Sequence, residues 1–166
     1  AEQIGKPVLS DDQAELIAAM ARGVSANDNA KALIYDGMPE AVVRAEYCGM
    51  ACQSRLDFFS REFGIVDLKT CDDLTWFESD AKRYGYAYQM AFYRAMVRIA
   101  SNQAVPVFMI ATEKKEPFRC GVWRVSDQLL DACQAENEAA IERLKRYFEM
   151  DIWPTGYEEI RVFDSF

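Results

Sequence analysis

The hydrophobic pattern changes period several times along the chain, and each change marks an element. Leu16, Ile17, Met20 and Val24 recur at helical spacing behind Ser10, with Asp11 and Asp12 in the first turn. That pattern predicts a capped helix from Asp11 to about Val24. Asn27-Asp28-Asn29 re-caps the chain for a short helix from Ala30 to Tyr35, which the turn Asp36-Gly37-Met38-Pro39 ends. Strand patterns follow at Ala41 to Glu46, at Met50 to Phe59 after a Cys48-Gly49 turn, and at Gly64 to Thr70. Leu74 to Lys82 reads as a short helix that Gly85 interrupts, and Tyr86 to Ile99 as a longer one. Val105 to Thr112 is a β-branched, apolar run expected as a buried strand, with Arg119 to Val125 returning at the sheet edge. Ser126 caps a helix reaching about Met150. Its inner stripe is Leu129, Leu130, Cys133, Ile141, Leu144 and Phe148, while Glu136, Glu138, Glu142 and Lys145 face water. Ile160 to Phe163 alternates weakly, as a short strand or docking arm would. Together these elements predict an α/β fold, a central mixed β-sheet flanked by α-helices, with an antiparallel meander leading in.

The chemistry concentrates in the meander. Side chains alternate across a strand, so Asp67 and Lys69 share a face while Leu68 points away. An acid and a base at the end of a buried strand are costly unless they bind something. The link Ser60-Arg61-Glu62-Phe63-Gly64 suits a hairpin that brings Asp57 beside Asp67. Asp57, Asp67 and the backbone carbonyl of Leu68 would then offer hard oxygen ligands for Mg²⁺ or Mn²⁺. Lys69 would stand next to that ion, free to hold a water or a phosphate oxygen. Such a group suits phosphodiester hydrolysis. On the predicted helix, Gln89 and Tyr93 lie four apart and share a face, with Tyr86 one turn earlier. The tyrosines read equally well as core contacts, but an amide on that aromatic face needs a partner.

The same residues carry a resemblance. Ser54-Arg55-Leu56-Asp57, then Val66-Asp67-Leu68-Lys69-Thr70, then Tyr84-Gly85-Tyr86-Ala87-Tyr88-Gln89 with Phe92-Tyr93 follow in order. The series resembles the PD-(D/E)XK nuclease superfamily, and within it the RecE-type branch, similar to exodeoxyribonuclease VIII and lambda exonuclease. Trp153-Pro154-Thr155-Gly156-Tyr157 resembles the ending of that branch. The resemblance implies a restriction-endonuclease-like sheet and Mg²⁺- or Mn²⁺-dependent hydrolysis of DNA, 5′-to-3′ from double-stranded ends. It implies Asp57, Asp67, Lys69 and Gln89 as catalytic residues, with Gln89 beside the lysine, and Glu40 as a third metal carboxylate. Glu46 rivals Glu40, and an ordinary solvated strand charge is the alternative for either. Arg55, Arg83 and Tyr93 are the candidate DNA contacts, and Arg83, Arg94 and Arg98 give their segment a basic edge that could meet a phosphate backbone, with solvated helix charges as the alternative. The implied partners are duplex DNA ends, a single-strand annealing protein and further copies of the chain in a trimeric or tetrameric ring.

Bulk properties adjust this picture. The 166 residues suffice for one domain with a real core, and 51% hydrophobic content excludes a disordered chain. No apolar run approaches a membrane span, and five cysteines without C-x-x-C spacing read as reduced thiols of a cytoplasmic protein. Core packing is expected of them, with no iron–sulfur cluster. The absence of histidine excludes Ser–His and Cys–His catalysis. A net charge of −8 opposes tight DNA binding by a lone subunit, which is why a shared basic channel is expected. The chain opens at Ala1 and lacks the longer N-terminal part usual in the family, so a catalytic domain truncated at its N-terminal side is expected. Two alternatives stay open: an endonuclease or junction resolvase of the same fold, and a non-catalytic remnant.

Overall fold

The computed structural model describes residues 8–162. The order is α1 (Asp11–Ser25), α2 (Asp28–Leu33), β1 (Gly37–Tyr47), β2 (Met50–Ser60), β3 (Gly64–Cys71), a 3₁₀ turn (Leu74–Trp76), α3 (Phe77–Arg83), α4 (Tyr86–Ser101), β4 (Val107–Glu113), β5 (Cys120–Arg124) and α5 (Asp127–Met150). One five-stranded sheet runs β1-β2-β3-β4-β5. Three of its pairings are antiparallel, and β3–β4 alone is parallel. A parallel neighbour needs a crossover, which α3 and α4 supply. This is the mixed sheet with flanking helices that the sequence pattern predicts.

Alternation along β3 sends its side chains to two different cores. Ile65 joins Leu56, Met90, Ala91, Val97, Val107, Met109 and Leu130 on the side of α4 and α5. Val66 joins Ala30, Leu33 and Ile110 beneath α2. Met90, Met96 and Ile110 are fully enclosed, and each such side chain contributes about 1.5–3 kcal/mol by leaving water. Asp67 and Lys69 follow Ile65 in alternation and so enter the α4 side. That is how two charges come to lie against a packed helix.

Several boundaries differ from the sequence expectation. β1 begins at Gly37, absorbing the predicted turn, because Gly37 pairs with Ser60 and its backbone lies against Phe59. A Cβ there would stand 2.1 Å from the Phe59 carbonyl oxygen. Pro39 is tolerated within β1 because β1 is an edge strand. The polar connection after β3 is engaged: Asp72 pairs with Lys114, and Asp73 caps the 3₁₀ turn and pairs with Arg119.

The long helix is corrected most. Only Leu130 and Cys133 are buried, and Ile141 is half-buried against Tyr47, Ala95 and Met96. Leu144 and Phe148 are exposed because the end of α5 runs past the core, and Leu129 is exposed in its first turn. Three of its supposed solvent charges hold partners instead. Glu136 accepts from the Tyr88 hydroxyl, Glu138 from the Tyr47 hydroxyl, and Lys145 donates to the Cys48 carbonyl. Residues 160–162 form no regular element, and the rest of that predicted arm, Phe163, lies outside the described residues. Among the described residues, no helix is long and apolar enough to cross a membrane.

Candidate active site

β2 and β3 pair only from Phe58–Val66 to Ser60–Gly64 and then part. The fork opens at Asp57. Leu56 belongs to the α4-side core and Phe58 to the opposite one, so the alternation of β2 breaks between them. Across from Asp57, between the pairs Pro39–Phe58 and Ala41–Leu56, stands Glu40 with φ 53°. That left-handed conformation in a non-glycine costs on the order of 1–3 kcal/mol and leaves Glu40 and Asp57 out of the regular register. Freed from regular pairing, the Asp57 side chain reaches across the fork, and its Oδ2 accepts from the Leu68 amide at 2.8 Å.

The Leu68 carbonyl faces the same gap. Ile65 directs its N–H to Pro106 in the run into β4, so Val66 and Leu68 direct their backbone groups the other way, toward β2. Val66 meets Phe58 there, and past the fork Leu68 has no paired β2 residue. Asp57 thus stands at the fork close enough to act on the charge of Asp67, with the Leu68 backbone directed to the same side.

Asp67 is 2% exposed, and its Oδ2 lies 2.5 Å from Nζ of Lys69. The contact is an ion pair rather than a well-directed hydrogen bond, and Oδ2 has no other partner. Burial pushes the Asp67 carboxyl above its ordinary value; Lys69 opposes that rise and Asp57 adds to it. Lys69 in turn donates to Gln89 Oε1 at 3.0 Å, and Gln89 Nε2 donates to the Tyr93 hydroxyl at 2.8 Å. A lysine can only donate, so it fixes the amide with oxygen inward, and Tyr93 must accept. The Tyr86 ring lies 4.6 Å from Nζ and completes the cradle. Gly85, at φ +68°, lets the chain turn so that Tyr86 and Gln89 open α4 on one face.

The structure therefore brings Asp57, Asp67, Leu68, Lys69, Gln89 and Tyr93 together. Glu40 does not join them: Arg55 holds its carboxylate at 2.9 Å. Among the described residues, no group of three acidic, cysteine or histidine side chains could hold a metal. Arg55 is exposed and, by alternation from Leu56, faces away from the Lys69 side. Arg83 is exposed at the end of α3. Arg94 is not part of a basic edge, since it is buried against Asp127 and Asp131. The cysteines are free, Cys71 and Cys133 buried and the others half-buried. Sequence reasoning missed Tyr86 as a wall of the lysine site, although its three-residue spacing from Gln89 carried the signal.

The donor set can be tested against a divalent ion on its own chemistry. All available donors are oxygens, and one buried carboxylate oxygen lacks a directed partner. That fits a hard divalent cation bound by Asp57, Asp67 and the Leu68 carbonyl.

A family model described as a PDDEXK-like domain of unknown function (DUF3799) matches residues 3–165. The chain belongs to that family. The match bears out the superfamily resemblance carried by Asp57 and Asp67-Leu68-Lys69. Among solved structures, this PDDEXK-like domain is similar to a protein from Eubacterium rectale described as a "putative exonuclease". The TM-score is 0.74 at 17% identity, over 93% of this chain and 64% of the other. The likeness shows the shared α/β fold, and this chain spans less than two thirds of that protein. No curated protein matches.

Proposed function

We propose that this PDDEXK-like domain is a Mg²⁺- or Mn²⁺-dependent deoxyribonuclease of the RecE-type branch, digesting duplex DNA from its 5′ ends. The observation that carries the reading is the Asp67–Lys69–Gln89–Tyr93 chain, which holds a buried acid and base 2.5 Å apart beside Asp57 at the fork. The family membership and the exonuclease description of the structural relative support the same reading.

What a bound ion supplies is Lewis acidity, making a water more acidic and offsetting negative charge on the phosphate. Asp57 and Asp67, with the Leu68 carbonyl, hold and orient it at the fork. Lys69 keeps a cation at the position where a phosphate oxygen or attacking water stands, and its Nζ proton is available to either. Gln89 and Tyr86 fix Nζ, so the lysine stays aimed when Asp67 turns to an ion. The net charge of −8 favours a ring of three or four copies with a shared basic channel, working with a single-strand annealing protein in phage-type recombination.

The test compares linear duplex with covalently closed circular DNA, with and without Mg²⁺. Linear duplex is expected to lose a 5′ label progressively, only with metal, while the circle persists. Cleavage of the circle would replace the exonuclease with an endonuclease. Metal binding without cleavage of either substrate would leave a remnant. Light scattering that shows monomer alone at high concentration would end the ring.

A further inference from the structure

Outside the lysine cradle, the aromatic stack continues to the surface. Tyr84 lies 5.8 Å from Tyr86, centroid to centroid, with the rings 26° from parallel. Tyr86 is the ring beneath Lys69, so Tyr84 stands two ring contacts from Nζ. Yet Tyr84 is 61% exposed. The Arg83 guanidinium flanks it loosely, 5.6 Å from its centroid. Among the described residues, neither Arg83 nor the neighbouring Lys82 forms an ion pair, although the chain carries a net charge of −8. Leaving a tyrosine this exposed gives up the burial that usually rewards an aromatic ring.

We propose that Tyr84 is a base-stacking platform that receives an unpaired nucleotide of a DNA strand end, with Arg83 on its phosphate. The proposal rests on the nuclease reading of the Lys69 site and narrows it to ends with unpaired bases. An outward-facing ring beside an unpaired guanidinium is the combination that binds single strands without sequence preference: the ring takes any base face and the cation takes the backbone. Continuity with Tyr86 sets the place. A strand whose phosphate sits at Lys69 carries its neighbouring base to Tyr84. A fully paired blunt end keeps that base in its own stack and gains nothing from the ring.

The experiment measures binding in metal-free buffer, so that no cleavage is required. The probes are a duplex with an unpaired terminal 2-aminopurine, whose fluorescence is quenched by stacking, and its blunt counterpart. Wild-type protein is expected to quench the unpaired probe and bind it more tightly than the blunt one. Tyr84→Ala should lose the quench and about tenfold in affinity for the unpaired end, as loss of one stacked base predicts. Tyr84→Phe should keep both, because it retains the ring. The platform is overturned if the wild type does not quench the probe, if Tyr84→Ala quenches as well as the wild type, or if Tyr84→Phe fails alongside it. Absence of metal-dependent cleavage would instead remove the nuclease reading, while the quench still decides the platform.

Discussion

β3 and β4 carry two buried carboxylates that the protein treats in opposite ways. Glu113, at the end of β4, is 4% exposed and surrounded by donors. Its oxygens accept from Arg119 Nε at 2.9 Å and Nη2 at 2.5 Å, and from the Leu74 and Arg119 amides at 3.0 and 3.3 Å. The Arg119 hydrogen bonds hold its carboxyl well below the ordinary range, at about 2. Asp67, on the adjacent strand, is equally buried, but among the described residues its side chain has only the Lys69 ion pair, and its carboxyl is pushed up by burial. One acid closes the structure around itself. The other is held short of satisfaction at a place where the sheet forks. Burial alone therefore does not tell a structural acid from a candidate functional one; what differs between these two is how many donors the fold has aimed at each.

The strongest break in this comparison is Lys69→Ala. If Lys69 serves a developing charge rather than Asp67 alone, cleavage of linear duplex should fall by on the order of 10²-fold or more. Metal affinity at mildly alkaline pH should stay or improve, because a neighbouring cation that competes for Asp67 is gone. Paired calorimetry and rate measurements check both, and wild-type cleavage by the variant would remove Lys69 from the site. Arg119→Met strikes the other acid. It leaves Glu113 buried with only its two amide donors, a loss of about 1–3 kcal/mol in denaturant unfolding. Arg119 is itself half exposed, so its Coulomb attraction adds little to that figure. The metal-induced rise in Tm should survive this change, since Glu113 lies outside the fork.

Much of this contrast was legible in the sequence, but not evenly. Alternation sufficed to place Asp67 and Lys69 on one face, and four-residue helical spacing sufficed to align Gln89 with Tyr93. Both are local periodicities. The fork was not legible, because it depends on where β2 stops pairing, and Glu40 at φ 53° is a conformation that no glutamate announces. Glu40 pairs with Arg55 of the adjacent strand, so a carboxylate in the right place along the chain ended on another partner. Arg94 misled for a different reason. Its helical position looked solvated until α5 packed across it and brought Asp127 and Asp131. The exposed end of α5 misled in reverse, since its apolar residues continue a stripe after the core beneath has ended.

The smallest expected effect is the sharpest in sign. A raised carboxyl means that burial in the folded protein disfavours the charged form of Asp67 relative to the unfolded chain, even with Lys69 beside it. The contribution of Asp67 to stability is therefore complete below its ordinary value of 3.8 and is lost as pH rises through the raised folded value. Glu113 runs the other way. Its contribution is present above the ordinary 4.5 and is lost as pH falls toward about 2. Asn mimics a neutral aspartate, so Asp67→Asn should stabilise the metal-free protein at neutral pH by a few degrees in Tm. The gain should shrink to nothing in acid, where Asp67 is protonated already. The same variant should lose the metal-induced rise in Tm, because an amide is a poor ligand for a hard ion. Glu113→Gln should destabilise at neutral pH, with its deficit closing as pH falls. Thermal melts from acid to neutral pH, with and without Mg²⁺, read all of these together. If Asp67→Asn instead destabilises the metal-free protein at neutral pH, Asp67 is held as firmly as Glu113, and the fork is a structural joint rather than a site kept open for a ligand.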